Sequence, residues 1–478
     1  MSIDTQIDAF FEPISKATSS VIFYSVEANG VDVPLILIWF ALAGLFFTIY
    51  LGFINVRYFT YAIRLLFGKG MRVTDDGEIS QFQALMTSLS GTVGLGNIAS
   101  VGVAISVGGP GAAFWMTVMG FLGMSTKFSE VMLGVKYRVH PNPENPKQTA
   151  GGPMYYIKAF FDRNNLSSIG TLIATLFCVF CILGAIGGGN MFQANQVTQQ
   201  LVNLTGGEVS PFADYGWAIG LVMAFCVGIV IIGGLKSIAN VSSKLVPAMA
   251  AIYVCTGLLI ILINLESLPN AISIIISNAF SFEAGLGAFL GGLLNGIKRA
   301  AFSNESGMGS AAIVQSTTNT DGAVGTGLVS MLGPFIDTII ICNITALVIV
   351  ITGAYEQSVG MEAVELTSRA FALGIPYAQY ILTLCVVLFA YSTMIAWYYN
   401  AAICVKYIFG EKQIVELVFK IFYCASIVVG SAAQLSNLIN FTDAVFLAMA
   451  IPNILALYLF APEIKRDVKK YVQALKKS

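Results

Sequence analysis

The chain has 478 residues, of which 56% are hydrophobic and only 11% charged, with a formal net charge of −1 and a mean hydropathy of +0.78. A soluble domain carries about 25% charge, so this composition rules against a soluble all-α architecture: water leaves nowhere to hide so much apolar side chain, whereas a bilayer does. No basic stripe runs outside the loops, which argues against a nucleic-acid partner.

Residues 1–33 precede the first apolar run and are expected outside the cytoplasm. Within them, 4–20 ("IDAFFEPISKA" at its centre) is too short and too polar to span and is expected as an amphipathic helix on the surface. Residues 1–30 lack a basic segment ahead of an apolar one, so no cleavable leader is read there. Apolar runs long enough to cross a bilayer then follow near 34–56, 83–106, 112–135, 167–199, 215–234, 243–264, 284–311, 327–353, 374–408, 414–434 and 440–461. The sequence therefore predicts an all-α polytopic membrane protein of about eleven spans.

Charge orients it. Arg57, Arg64, Lys69 and Arg72 follow the first run; Lys127, Lys136, Arg138, Lys147, Lys158 and Arg163 are counted with the loop after the third. Lys236 and Lys244 follow the fifth, Lys406 and Lys412 the ninth, and a basic tail the last, while alternate loops are acidic or neutral. The positive-inside rule then places the N-terminus outside and the C-terminus in the cytoplasm of a prokaryotic plasma (inner) membrane. The eight cysteines all lie in apolar stretches; the Cys178–Cys181 pair has no partner pair and the chain has one histidine, His140, so all eight are read as small buried hydrophobes.

Two of the runs look broken. Gly91, Gly94 and Gly96 lie within seven residues, beside Thr92 and Asn97. Such density favours an unwound stretch, which at membrane depth is tolerated only where it is buried in protein or lines a cavity. The glycines at 184, 187, 188 and 189, and those from 285 to 296, read equally well as close-packing residues. The second break lies in "KRAAFSNESGMGS" (298–310), where Lys298, Arg299 and Glu305 interrupt an apolar span; the bland alternative is that the span ends at Gly296 and these residues are loop.

With the first run set aside, the others form two sets of five, each opening on a broken member, and the two broken members run in opposite directions. The chain thus divides into an extra helix and cytoplasmic loop (34–82), a first repeat (83–264), an outer loop (265–283), a second repeat (284–463) and a basic cytoplasmic tail (464–478). Paired broken helices in inverted halves point to a secondary transporter with its site at the midplane: amide groups at a half-helix start attract a carboxylate, and carbonyls at a half-helix end suit a small hard cation.

The stretches "SGTVGLGNIASVGVAISVGGPGAAFWM" (90–116), "GNMFQANQ" (189–196) and "FSNESGMGSAA" (302–312) resemble the alanine/glycine:cation symporter family, and "VGLGN" (93–97) more distantly resembles the first broken helix of LeuT-type symporters. The resemblance implies one N-terminal helix followed by a LeuT-like five-plus-five inverted repeat, no cofactor, sodium as the coupling ion, and import of a small neutral amino acid, alanine or glycine, by alternating access. It implies that amides around Leu95 and Gly96, with Thr92 and Asn97, receive the substrate carboxylate. Sodium would lie on the carbonyls of Ser90 and Val93 and the hydroxyls of Ser392 and Thr393, which could instead back-bond to their own helix.

Ser303, Asn304 and Gly307 would form the other half of the pocket, Gln193 and Asn190 would add polar contacts, and Phe302 and Trp397 would be walls. Lys298, Arg299 and Glu305 are candidates for a gate or an ion pair. The family often has Ala-Gly or Ala-Ala where this chain has Ser306-Gly307 and Ser88-Leu89-Ser90, which leaves the substrate open. A proton-coupled carrier with Glu305 titrating, or a serine or glutamine carrier, would share the fold. A membrane hydrolase needs a nucleophile with a base or two facing carboxylates, but the one histidine falls in a cytoplasmic loop and the acids at membrane depth are few, Glu305 and Asp337, so no enzyme activity is expected; a channel needs a ring of ligands, and the paired broken helices argue against it.

Overall fold

The computed structural model describes residues 3–28, 31–68, 77–141, 145, 147–281, 286–320, 322–357, 361 and 363–476. Apolar runs without an aqueous surface have to satisfy their backbone internally, and nearly all of them do so as α-helix. α1 (Ile3–Ile22) is followed by a two-stranded antiparallel hairpin, β1 (Ser25–Ala28) and β2 (Val31–Pro34), which leads into α2 (Leu35–Tyr50) and the short helices Ile54–Arg57 and Phe59–Leu66.

The first set of five consists of the pair α3 (Gln81–Thr92) and α4 (Ala99–Gly108), α5 (Gly111–Lys136), α7 (Ser167–Leu204), α8 (Gly216–Ile232) and α9 (Gly234–Ile263), with the amphipathic α6 (Pro153–Arg163) ahead of α7. After the outer helix α10 (Leu268–Ala279), the second set comprises the pair α11 (Leu286–Asn304) and α12 (Ser310–Gln315), α13 (Ala323–Ile351), α15 (Ala378–Phe409), α16 (Gln413–Ala432) and α17 (Leu435–Leu475). α14 (Ala363–Gly374) lies between α13 and α15. Each apolar run expected from the sequence falls on helix, and six of these helices are by themselves long and apolar enough to cross a membrane.

Several features add to expectation or differ from it. α1 forms the expected helix and is in addition docked: its buried Ser15 hydroxyl donates to the Asn437 carbonyl at 2.7 Å, which holds the helix on the start of α17. The hairpin, α10 within the expected outer loop, and α14 had no apolar run to announce them. The basic tail continues α17 as helix. Lys298 and Arg299 stand inside α11, so the loop alternative fails. Lys127 is not a loop cation either; it is buried in the middle of α5.

α7 and α13 each contain a π-helical stretch, Gly187–Met191 and Phe335–Cys342. Such a stretch rotates the residues after it and frees a carbonyl for another partner. The bundle is layered: α8 turns Leu221, Phe225 and Ile229, one turn apart, outward, while its other face packs on α16. The two broken pairs are enclosed at the centre.

Candidate functional site

The start of α3 is set locally by a capping box: the Gln83 amide donates to the Ser80 hydroxyl, and the Ser80 amide donates back to the Gln83 side chain. The helix then ends at Thr92, and 93–98 is irregular before α4 resumes. The break therefore starts two residues after Gly91, which remains in the last turn of α3. Gly94 and Gly96 are not in left-handed backbone. Gly94 is glycine because of proximity: a Cβ there would lie 2.4 Å from the Thr393 hydroxyl.

A side chain of the break itself and others from distant helices satisfy the freed backbone. The Gly94 amide donates to Asn97 Oδ1 at 2.9 Å and the Leu95 amide to Gln193 Oε1 at 3.2 Å. Gln193 sits just beyond the π stretch of α7, and its Nε2 donates to the Gly188 carbonyl. Thr345 and Thr367 donate to the carbonyls of Asn97 and Ile98 at 2.7 and 2.9 Å.

On the α15 side the break meets a cluster of neutral oxygens. The Thr393 hydroxyl donates to the Ser90 carbonyl at 3.0 Å, and the Ser90 hydroxyl donates to the Ser392 carbonyl at 2.7 Å. Ser392 back-bonds to the Phe389 carbonyl at 3.0 Å, so of the two adjacent hydroxyls one stays on its own helix and the other crosses to α3. Val93 is the C-cap of α3, placing its carbonyl at the same helix end. Thr92 closes onto its own helix, at Leu89.

The second break, 305–309, is built differently. Glu305, Gly307 and Gly309 all have left-handed φ, at +53°, +90° and +86°. The Gly307 and Gly309 amides both donate to Glu130 Oε2 at 3.0 Å, and Asn453 donates to the same oxygen at 3.0 Å. Lys127 lies 3.5 Å from the other Glu130 oxygen, and its ammonium donates to the Glu305 carbonyl at 3.3 Å. One buried ion pair on α5 thus grips both edges of the break, the cation on a carbonyl and the anion on two amides. Glu305 itself accepts from Trp397 Nε1 at 3.0 Å and from Ser310 at 2.6 Å. It does not pair with Lys298 or Arg299: both turn to Asp443 on α17, Lys298 at 2.8 Å.

Asp337, in the π stretch of α13, ties the two breaks together. Its carboxylate accepts from Asn97 Nδ2 at 2.6 Å and from the Ser303 hydroxyl at 2.5 Å, and Thr338 donates to it at 2.9 Å. Asn304 donates to Thr338 at 3.0 Å and accepts from the Ser306 amide. The Phe302 ring faces Gly96, within 3.3 Å of where a Cβ would be, and joins Phe192, Phe446 and Trp397 in a chain of ring contacts with centroids 5.0–5.3 Å apart. Asn190 turns away, donating to the Tyr423 carbonyl on α16.

The structure thus gathers Ser90, Ser392 and Thr393 in one cluster. Leu95 meets Gln193, and Asn97 meets Ser303. Asn304 and Gly307 sit on the α5–α13 side. The sequence had not assigned Lys127, Glu130, Asp337, Thr338 or Asp443 to the site. A charged residue inside an apolar run was the available signal for each of the acids and for Lys127.

Cavities flank the buried centre. One of 920 Å³ lies among α4, α7, α14 and the start of α17; another of 260 Å³ lies among Glu78, α6, α9 and α15. Burial raises the Glu78 carboxyl above its ordinary range, with Lys236 and Lys406 pulling against it. Beside this smaller cavity the Glu78 and Ile79 amides donate to the Thr317 carbonyl and the Asn319 amide donates to the Ile79 carbonyl, and Arg138 donates to the carbonyls of Ser316, Thr318 and Thr320 at 3.2, 2.8 and 3.2 Å.

Residues 17–478 match the model of the sodium:alanine symporter family. The chain is 38% identical to the sodium/alanine symporter AgcS of Methanococcus maripaludis over 92% of its length and 94% of that protein's. It is 30% identical to the probable sodium/glutamine symporter GlnT of Bacillus subtilis, over 91% and 87%. The fold is similar to that of MhsT in complex with L-phenylalanine, with a TM-score of 0.54 at 15% identity over 80% of this chain and 89% of that one. LeuT-like architecture, the two buried helix breaks and the family match agree: the chain belongs to the sodium:alanine symporter family, and is a multi-pass sodium-coupled amino-acid symporter rather than an enzyme.

Proposed function

We propose that this symporter imports a small neutral amino acid, alanine or glycine, by alternating access, with sodium at the junction of α3 and α15. The observation that carries the reading is the cross-helix pair of hydrogen bonds joining Ser90 to Ser392 and Thr393. A sodium ion entering there would take the carbonyls of Ser90, Val93 and Phe389 and the hydroxyls of Ser392 and Thr393, all neutral hard oxygens suited to a group-1 cation. Bound sodium would fix the end of α3 and hence the Leu95–Gly96 amides, to which the substrate carboxylate is assigned, with Thr92 and Asn97 beside them. Sodium and substrate then raise each other's affinity by the same factor.

The walls support a small substrate. Phe302 crowds Gly96, and Trp397 lies beside Gly91 and Gly189. On the other side of the pocket, Ser303, Asn304 and Gly307 border the second break, and Gln193 yields the Leu95 amide as substrate arrives. Alternating access draws support from the two cavities, which lie at opposite ends of α8 and α16: one reaches Gly216 and Ser431, the other Ile231 and Glu416. The basic loops support a prokaryotic plasma-membrane location with the N-terminus outside.

Uptake of labelled alanine into liposomes, with and without a sodium gradient, tests this. Sodium should lower the apparent Km for alanine, and Thr393→Val should abolish that effect; flat kinetics across a sodium titration at constant potential would refute it. Competition by glycine, serine and glutamine fixes the substrate class, since one methylene is worth about 1–3 kcal/mol in an apolar pocket. The buried Glu305 carboxylate, held by Trp397 and Ser310, favours proton coupling as the second reading. Loss of pH dependence in Glu305→Gln, with no sodium effect in either protein, would establish it.

A further inference from the structure

From a basic cavity at the end of α2, we propose that this protein holds the phosphate of an anionic phospholipid between α2 and the helical tail of α17. The cavity, of 480 Å³, is lined by Arg57, Lys465, Lys469 and Lys476, and no acidic side chain lines it among the described residues.

The positive-inside rule alone accounts for cations on this rim, but not for their arrangement. The tail of α17 separates its charges by face. Glu463 and Asp467 point to α5, where Lys136 bridges both, Tyr137 donates to Glu463 at 2.6 Å, and Arg163 adds a further contact at 3.3 Å. Lys465, Lys469 and Lys476, at helical spacing on another face, turn to the cavity, and no acidic partner meets them there among the described residues. Two of the cations rest on tyrosines: Lys465 Nζ lies 4.2 Å from the ring centre of Tyr50, the last residue of α2, and Arg57 lies 5.6 Å from that of Tyr58, between the two short helices that follow. Such contacts position the charges without neutralising them.

Exposed apolar side chains border the cavity. Ile49, Phe53 and Val56 are exposed beside it, and Leu42 and Leu45 continue an exposed apolar strip along α2. A headgroup phosphate in the cavity therefore places its acyl chains on that strip, an arrangement a free oxyanion does not use. Basic pockets between helices at the cytoplasmic face are the recognised setting for anionic headgroups.

The test uses the full-length protein in mild detergent, exposed to an equimolar mixture of phosphatidylglycerol and phosphatidylcholine and read by native mass spectrometry. The wild type should retain phosphatidylglycerol preferentially. Lys465→Gln/Lys469→Gln should lower that preference about 20-fold, whereas Lys244→Gln/Lys412→Gln, which removes two exposed charges outside the cavity, should leave it intact. Equal effects of the two double variants, or no effect of the first, would overturn the proposal. If the first variant is not monodisperse, Arg57→Gln takes its place. In a separate arm, inorganic phosphate is titrated against the wild type with its bound phosphatidylglycerol; displacement at low millimolar concentration would show a free-oxyanion site and overturn the lipid assignment. Uptake is not the readout, so failure of the lipid site leaves the transport reading untouched.

Discussion

The two helix breaks satisfy their freed backbone with different chemistry. The first, 93–98, is held by neutral groups: Asn97, Gln193, Thr345 and Thr367 satisfy its backbone, and none of its glycines is left-handed. The second, 305–309, is bent by left-handed residues and gripped by the Lys127–Glu130 pair. Neutral amide and hydroxyl partners can be exchanged for a ligand at small cost, while a buried ion pair cannot be opened without exposing an unpaired charge. The first break is thus suited to binding and release, and the second to serving as a rigid wall. The joint between them is Asp337, which receives Asn97 from the first and Ser303 from the last turn of α11, just ahead of the second.

Breaking the charged grip should have the largest effect. Glu130→Gln leaves Lys127 without its counter-charge and should destabilise the protein by about 3–5 kcal/mol. Thermal unfolding in detergent measures this, and Lys127→Met/Glu130→Gln should recover part of the loss. No change in the single variant would show that the second break needs no charge. Next comes Gly94→Ala, whose Cβ would sit 2.4 Å from the Thr393 hydroxyl and push α3 from α15. It should slow sodium-driven uptake about 100-fold. Gly91→Ala, with its nearest neighbours at 3.8 Å, should transport nearly normally, and equal damage by both would refute the close-approach account.

Asp337→Asn removes the charge on which Asn97 and Ser303 converge; it should raise the alanine concentration needed for half-maximal uptake about tenfold, a loss of about 1.4 kcal/mol. Kinetics unchanged from wild type would uncouple the two breaks. Smallest is Gly307→Ala, where a φ of +90° costs an L-residue about 1–2 kcal/mol, read as a modest fall in melting temperature with alanine affinity retained.

Much of the site was legible before folding. Glycine density marked 91–97, and charges inside an apolar run marked 298–310, because both features are expensive in lipid and persist for a reason. The same logic applied to Lys127 and Glu130, but a cation near a basic loop reads as part of that loop until the helix is seen to bury it. Ser392 and Thr393 could be named from resemblance, yet which hydroxyl crosses to α3 depends on helix rotation. Gly94 illustrates the limit well: its identity signalled an opening, whereas its reason is the Thr393 hydroxyl, 299 residues away in the chain.

The sequence by itself determined that this chain is helical and membrane-spanning, where the apolar runs lie and which two are interrupted. Those properties follow from local hydropathy and backbone propensity, which each segment carries within itself. The tertiary structure alone decided that Glu130 holds the second break, that Asp337 joins it to the first, and that Lys298 and Arg299 turn to Asp443 rather than Glu305. A buried polar group is satisfied by whatever packing brings within about 3 Å, and no spacing along the chain encodes that neighbour.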